Sequence, residues 1–230
     1  MSAIASASAS ALEFYKCVKV AAGTGTFNDS HCNEAGGSKE YAHELLAELL
    51  EILSKGTEKF TLGGELLKVK VEISCENEHG TGSIHNGKVK VDLPEGSPEE
   101  VLTGLGLVTN EFTLCKVETP AGCQVKEPII AESLIQLSTV GAIPYVLFSP
   151  DDAVNSTNKT FVKITLEGCI IAGTYSVTGM AAGKAENETS SVGFTKGAPN
   201  NKLKFGGNEA TFTGKSQVTA KSNGDLVKIL

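Results

Sequence analysis

The chain contains no tryptophan, and aromatic residues make up only 6% of its 230 positions. Its core must therefore rest on Val, Ile, Leu and Ala. No run of 18 apolar residues occurs, which excludes a membrane-spanning helix. A basic excess is also missing: 20 Lys+Arg stand against 27 Asp+Glu, for a net charge of −7. Nucleic-acid binders normally carry a basic face that neutralises phosphates, so that partner class is excluded. There is no GxSxG elbow, and no Ser, His and Asp stand out as a triad. With 40% hydrophobic and 20% charged residues, what remains is an ordinary globular composition, long enough for one large β domain or two small ones.

Cysteine is the informative residue. Three times an extended apolar stretch runs into a cysteine and then, four to six residues later, into a Gly-Thr-x-Ser/Thr-apolar segment. The instances are Cys17 with Gly23–Phe27, Cys75 with Gly80–Ile84, and Cys169 with Gly173–Val177. Each predicts strand, tight turn, strand, with glycine supplying positive φ at the turn. Six cysteines, an even number, predict three disulfides and hence an oxidising compartment. The expected pairing is Cys17–Cys32, Cys115–Cys123 and Cys75–Cys169. The last bridge would join the two halves of the chain into one β-rich domain over 12–230; the alternative is two β modules divided near 126–150.

The remaining pattern is strand-like. Lys68-Val69-Lys70-Val71-Glu72-Ile73 alternates charged and apolar residues, as does Lys88-Val89-Lys90-Val91-Asp92-Leu93. These are half-buried antiparallel strands. Turn signals at Asn86-Gly87, Pro199-Asn200-Asn201 and Asn223-Gly224 favour a mainly β, antiparallel sandwich-like architecture. Two segments predict helix instead. From Ser38 to Lys55, Tyr41, Ala42, Leu45, Leu46, Leu49, Leu50, Ile52 and Leu53 recur at the helical period, with Ser38 as N-cap and Gly56 as C-cap. Ser97-Pro98-Glu99-Glu100 is a capping box with proline at the first helical position, and predicts a short helix over 97–104.

The start of the chain, residues 1–11, is almost only Ser and Ala and ends in Ala9-Ser10-Ala11. This small-x-small pattern predicts the remnant of a signal peptide, with a flexible arm as the alternative. Phe14–Cys32, Ile73–Ile84, Cys115–Ile129, Phe161–Val177 and Leu203–Lys215 resemble segments of a group of uncharacterised secreted proteins from high-GC Gram-positive soil bacteria. The resemblance implies export and a β-rich fold. It supplies no catalytic residue.

Candidate chemistry is sparse. His43-Glu44-Leu45-Leu46-Ala47 approaches the HExxH zinc motif, but Ala47 stands where the second imidazole is required. Gly214-Lys215-Ser216 resembles the end of a phosphate loop, yet Glu209 replaces the first glycine and the flanks alternate like one strand. Cys75, His79 and His85, with His31 beside Cys32, lack the spacing of a structural zinc site. Asp151, Asp152, Asn155 and Asn158 crowd one polar loop without EF-hand spacing. Four Asn-x-Ser/Thr sequons, at Asn28, Asn155, Asn158 and Asn187, are expected on surface turns.

No catalytic, cofactor or metal site is therefore expected. The sequence predicts a secreted or cell-envelope protein, stapled by disulfides among Cys17, Cys32, Cys75, Cys115, Cys123 and Cys169, with a structural or binding role toward an extracellular or envelope partner. The alternatives are a secreted hydrolase built on loop carboxylates and a self-assembling subunit whose arm adds a strand to a neighbour.

Overall fold

The computed structural model describes residues 12–91, 99–150, 160–199 and 201–230. The predicted leader or arm, and the loop of Asp151, Asp152, Asn155 and Asn158, lie outside these residues. Within them the protein is antiparallel β structure without a helix.

Eight strands close into a barrel: β3 (Leu50–Leu66), β4 (Val69–Val91), β5 (Glu99–Thr119), β7 (Ile129–Val140), β8 (Ile143–Ser149), β11 (Ala181–Glu186), β12 (Ser191–Phe194) and β15 (Thr211–Ala220). Their order around the barrel is β11-β12-β15-β3-β4-β5-β7-β8. Strands from both sides of residues 126–150 thus interleave in one closed wall. Closure removes the unpaired edges an open sheet would expose. The expected sandwich is therefore replaced by a barrel, while the mainly β, antiparallel class stands.

Two smaller sheets cover the barrel. One contains β1 (Phe14–Lys19), β2 (Tyr41–Leu45) and β16 (Val227–Ile229), in the order β16-β1-β2. Its Phe14, Val227 and Ile229 share a core with Ile52, Ile84, Val108 and Ile135 of the barrel. The other contains β6 (Gln124–Val125), β9 (Thr160–Glu167), β10 (Gly173–Thr178), β13 (Lys204–Phe205) and β14 (Asn208–Glu209), in the order β14-β13-β10-β9-β6. Its Ile164, Leu166, Val177 and Phe205 pack on Leu62, Val71, Ile73 and Ile129. Phe205 is wholly buried, which is worth about 1.5–3 kcal/mol of hydrophobic stabilisation. The two cores thus meet opposite ends of β3 and β4.

Both predicted helices are corrected. Residues 38–55 form β2 and the start of β3, and residues 99–104 belong to β5, with 97 and 98 outside the described residues. The 38–55 segment fits two periods at once. Leu45, Leu49 and Leu53 make a helical stripe, yet all three are exposed, Leu49 by 64%. Ile52 is buried instead, because β3 pairs with β4 on one side and β15 on the other. A two-sided ladder of backbone hydrogen bonds outweighs the few tenths of a kcal/mol per residue by which Leu, Glu and Ala favour helix.

The three cysteine motifs also diverge. Gly23 and Gly173 take positive φ, at 83° and 154°. Gly80 and Gly82 lie inside the uninterrupted strand β4, outside the left-handed region, so no turn follows Cys75.

All six cysteines are paired, as Cys17–Cys32, Cys75–Cys115 and Cys123–Cys169. The first is the expected bridge. The other two correct the expected Cys115–Cys123 and Cys75–Cys169. Register decides the matter: Cys75 is directly opposite Cys115 on β4 and β5. Cys123 and Cys169 flank β6 and β9, whose pairing of Gln124 with Glu167 brings them together.

Candidate ligand cavity inside the barrel

Between the two cores the barrel holds a partly open cavity of about 140 Å³. An eight-stranded barrel is just wide enough for side chains to fill, or to hold one small ligand. Here several inward positions are too small to fill it. Gly56, Gly80, Gly82, Ala131, Gly183 and Ala185 alternate with larger residues along four strands. The walls are mostly apolar, with Ile52, Leu62, Val108, Ile135, Val146 and Phe212 prominent. Phe60 anchors an aromatic group on one side, stacked on Phe212 at 5.5 Å between ring centroids and edge-on to Phe112 at 5.3 Å.

One carboxyl interrupts this lining. Glu78 of β4 is only 3% exposed. Strict alternation from Cys75, which also lines the cavity, would turn residue 78 outward. The register between β3 and β4 breaks between Lys55 and Phe60, and this irregularity turns both Cys75 and Glu78 inward. Each Glu78 oxygen then has a serine partner: Ser54 Oγ donates to Oε1 at 2.6 Å and Ser216 Oγ to Oε2 at 2.7 Å. Asn110 Oδ1 lies 3.4 Å from Ser54 Oγ, which extends the polar cluster onto a fourth strand. Burial in an apolar surround raises the Glu78 pKa, against the opposing pull of Ser54, Ser216 and the charge of His79.

A second carboxyl on the wall, Glu186, has a different environment, because Lys215 Nζ is 2.5 Å from its Oε2. Ser133 lies between Ala131 and Ile135 on the same face of β7. Its hydroxyl is buried without a hydrogen-bond partner, at 1% exposure.

Polar clamps hold the three-stranded sheet over its end of the barrel. The Asn86 side chain accepts from Phe14 N and donates to the carbonyls of Phe14 and Leu46. Asn187 does the same for Ile229, accepting from its N–H at 2.8 Å and donating to its carbonyl at 2.6 Å. Lys228 is 1% exposed, and its ammonium donates to Asn33 Oδ1 and to the Asn187 carbonyl. Burial lowers its pKa, and the charges of Asp29 and Glu188 oppose that shift.

The six cysteines do not gather at this site as a reactive group; Cys75 enters the wall only as half of a disulfide. His43 and Glu44 lie on β2, where no helical face exists. Gly214-Lys215-Ser216 is part of β15, Lys215 pairing with Glu186 and Ser216 with Glu78. Among the described residues no group of three or more His, Cys, Asp or Glu is placed to hold a metal ion. Sequence reading missed Glu78, since Glu76-Asn77-Glu78-His79-Gly80 looks like a turn. The available signal was Glu78, Gly80, Gly82 and Ile84 at period two: one acid beside two glycines on one face of a strand.

No family model, curated protein or solved structure matches this chain. Three disulfides fit an oxidising, extracellular environment. Among the described residues no helix is long and apolar enough to cross a membrane.

Proposed function

We propose that the protein is an exported binding protein whose barrel interior holds one small, mostly apolar molecule. The carrying observation is the apolar, partly open cavity of about 140 Å³ with a single raised-pKa carboxyl in its wall. Cavities of about this size lined by Leu, Ile and Phe stay dry and accept guests the size of benzene. Apolar enclosure with a few placed polar groups is the usual form of a ligand site. The disulfides and the resemblance to secreted soil-bacterial proteins support export and a role outside the cell or at its envelope.

A hydrolase would use a pair of carboxyls set to act as acid and base. Glu78 is raised, whereas Glu186 is held by Lys215, so the cavity offers one carboxyl for such chemistry. This arrangement favours binding.

Thermal unfolding with and without toluene tests the reading. At ten times Kd a bound guest stabilises by about 1.4 kcal/mol, or roughly 3–6 °C for a domain of this size. Ala131→Leu, which puts bulk into the cavity, is expected to abolish the shift while the far-ultraviolet spectrum stays β. An unshifted melting curve at near-saturating toluene would overturn the proposal.

A further inference from the structure

The cavity has a polar corner whose atoms all point the same way. Gly80 lies beneath it: a Cβ there would collide with Ser54 Oγ and Asn110 Oδ1 and stand 3.1 Å from Glu78 Oε1. Three oxygens from three strands are therefore gathered over Gly80, and the missing side chain is what leaves room for them. A group that approaches these oxygens from the cavity meets acceptors. The Glu78 carboxylate and the Asn110 carbonyl oxygen are acceptors, and Ser54 Oγ can accept while its own proton goes to Glu78.

No lysine or arginine reaches the corner among the described residues; the charge that acts on Glu78 is that of His79, the next residue along β4, which is not part of the cavity wall. No lysine is among the cavity walls, the chain contains no arginine, and Lys215 is bonded to Glu186. A buried carboxylate is costly unless it is paired. An incoming cation would complete the pair.

A metal ion fits poorly. Hard cations take six to eight oxygen ligands, and here a single carboxylate is surrounded by hydrocarbon. An organic ammonium needs only three acceptors and brings its own apolar body. Phe60 is placed for that body: a Cβ on Gly56 would touch both Glu78 Cβ, at 3.2 Å, and Phe60 Cε2, at 3.3 Å. The aromatic group of Phe60, Phe112 and Phe212 thus begins beside the carboxyl, an arrangement that also favours a cation near ring faces.

We propose that the ligand is a compact organic amine, of about one ring, whose ammonium is held from the cavity side by Glu78, Ser54 and Asn110 and whose apolar part fills the cavity beside Phe60. This deepens the binding reading and rests on it.

Calorimetric titration of the full chain with benzylamine, benzyl alcohol and toluene separates the two claims. Charge-assisted hydrogen bonds predict that benzylamine binds about 10–100-fold more tightly than either neutral probe at pH 7. Glu78→Gln should remove that preference. If Glu78→Gln fails to fold, Ser54→Ala and Asn110→Ala must each narrow the preference for the amine. Equal binding of all three probes by the wild type would overturn the amine proposal and leave the binding reading intact. Binding of none would overturn both.

Discussion

Cys75 and Cys115 face each other across β4 and β5 at the same register position, so their disulfide closes a rung that the backbone ladder has already aligned. The bridges Cys75–Cys115 and Cys123–Cys169 follow one another along the chain without interleaving, with separations of 40 and 46 residues. Proteolysis without reduction should therefore release Cys75 joined to Cys115 and Cys123 joined to Cys169. Recovery of a Cys75–Cys169 peptide would contradict the barrel register. In the chain-entropy account each of these bridges contributes about 4 kcal/mol, and Cys17–Cys32 about 3 kcal/mol. Replacing Cys123 and Cys169 together by alanine should lower the unfolding free energy by about 4 kcal/mol in a denaturant titration.

Asn187 is a sequon residue whose amide is already occupied. Its Nδ2 donates to the Ile229 carbonyl and its Oδ1 accepts from the Ile229 N–H, an exchange that mimics a strand partner. A glycan on that nitrogen would leave it one N–H and set a sugar against the Ile229 carbonyl, forcing the three-stranded sheet away. Asn187 therefore differs from Asn28, which is exposed at a turn. Asn187→Ala leaves two backbone groups unpaired and is expected to cost about 2–4 kcal/mol. Hydrogen exchange should show the loss first at Val227–Ile229. Protein made through a eukaryotic secretory route should carry sugar at Asn28 and none at Asn187, as peptide mass mapping would reveal.

Ser133 supplies a prediction of opposite sign. Its hydroxyl is buried and unpartnered. Such a group costs roughly 1–3 kcal/mol, and its removal leaves a space of only one oxygen atom. Ser133→Ala should raise the melting temperature. A drop would mean that the hydroxyl has a partner in solution, such as a bound water.

The sequence made some of this arrangement legible and concealed the rest for identifiable reasons. Lys68–Ile73 alternates because one face of β4 meets the core and the other meets solvent, so composition and geometry agree there. Residues 38–55 misled because Leu45, Leu49 and Leu53 match a helix, while Leu45 pairs with Tyr15 of β1 and Leu53 with Thr81 of β4 and Thr219 of β15, partners that lie far along the chain. Glu78 was hidden for a related reason. Its inward direction depends on a register irregularity in β3, and its serine partners are 24 and 138 residues away. Local patterns report burial on one face; they carry no record of which distant strand closes the wall.

Glu78 also sets a pH dependence whose sign can be worked out. Burial raises its pKa in the folded protein above the ordinary carboxylate value that holds in the unfolded chain. Between those two values the folded state keeps a proton that the unfolded state has released. Stability changes with pH in proportion to protons bound unfolded minus protons bound folded, so it falls as pH rises through this window. Below the ordinary value both states are protonated and the carboxyl costs nothing extra; above the folded value the full cost of the buried charge is present and the curve flattens. Glu78→Gln keeps an acceptor for the serine hydroxyls and has no such titration. The Glu186–Lys215 pair remains in both proteins and cancels in the difference, while the charge of His79 acts on Glu78 and opposes its shift. Denaturant titrations from pH 4 to 8 should therefore show the variant gaining on the wild type as pH rises. A gap that stays constant over that range would show that Glu78 titrates as an ordinary exposed carboxyl, and a gap that moves the other way would place a cation beside it in the folded barrel.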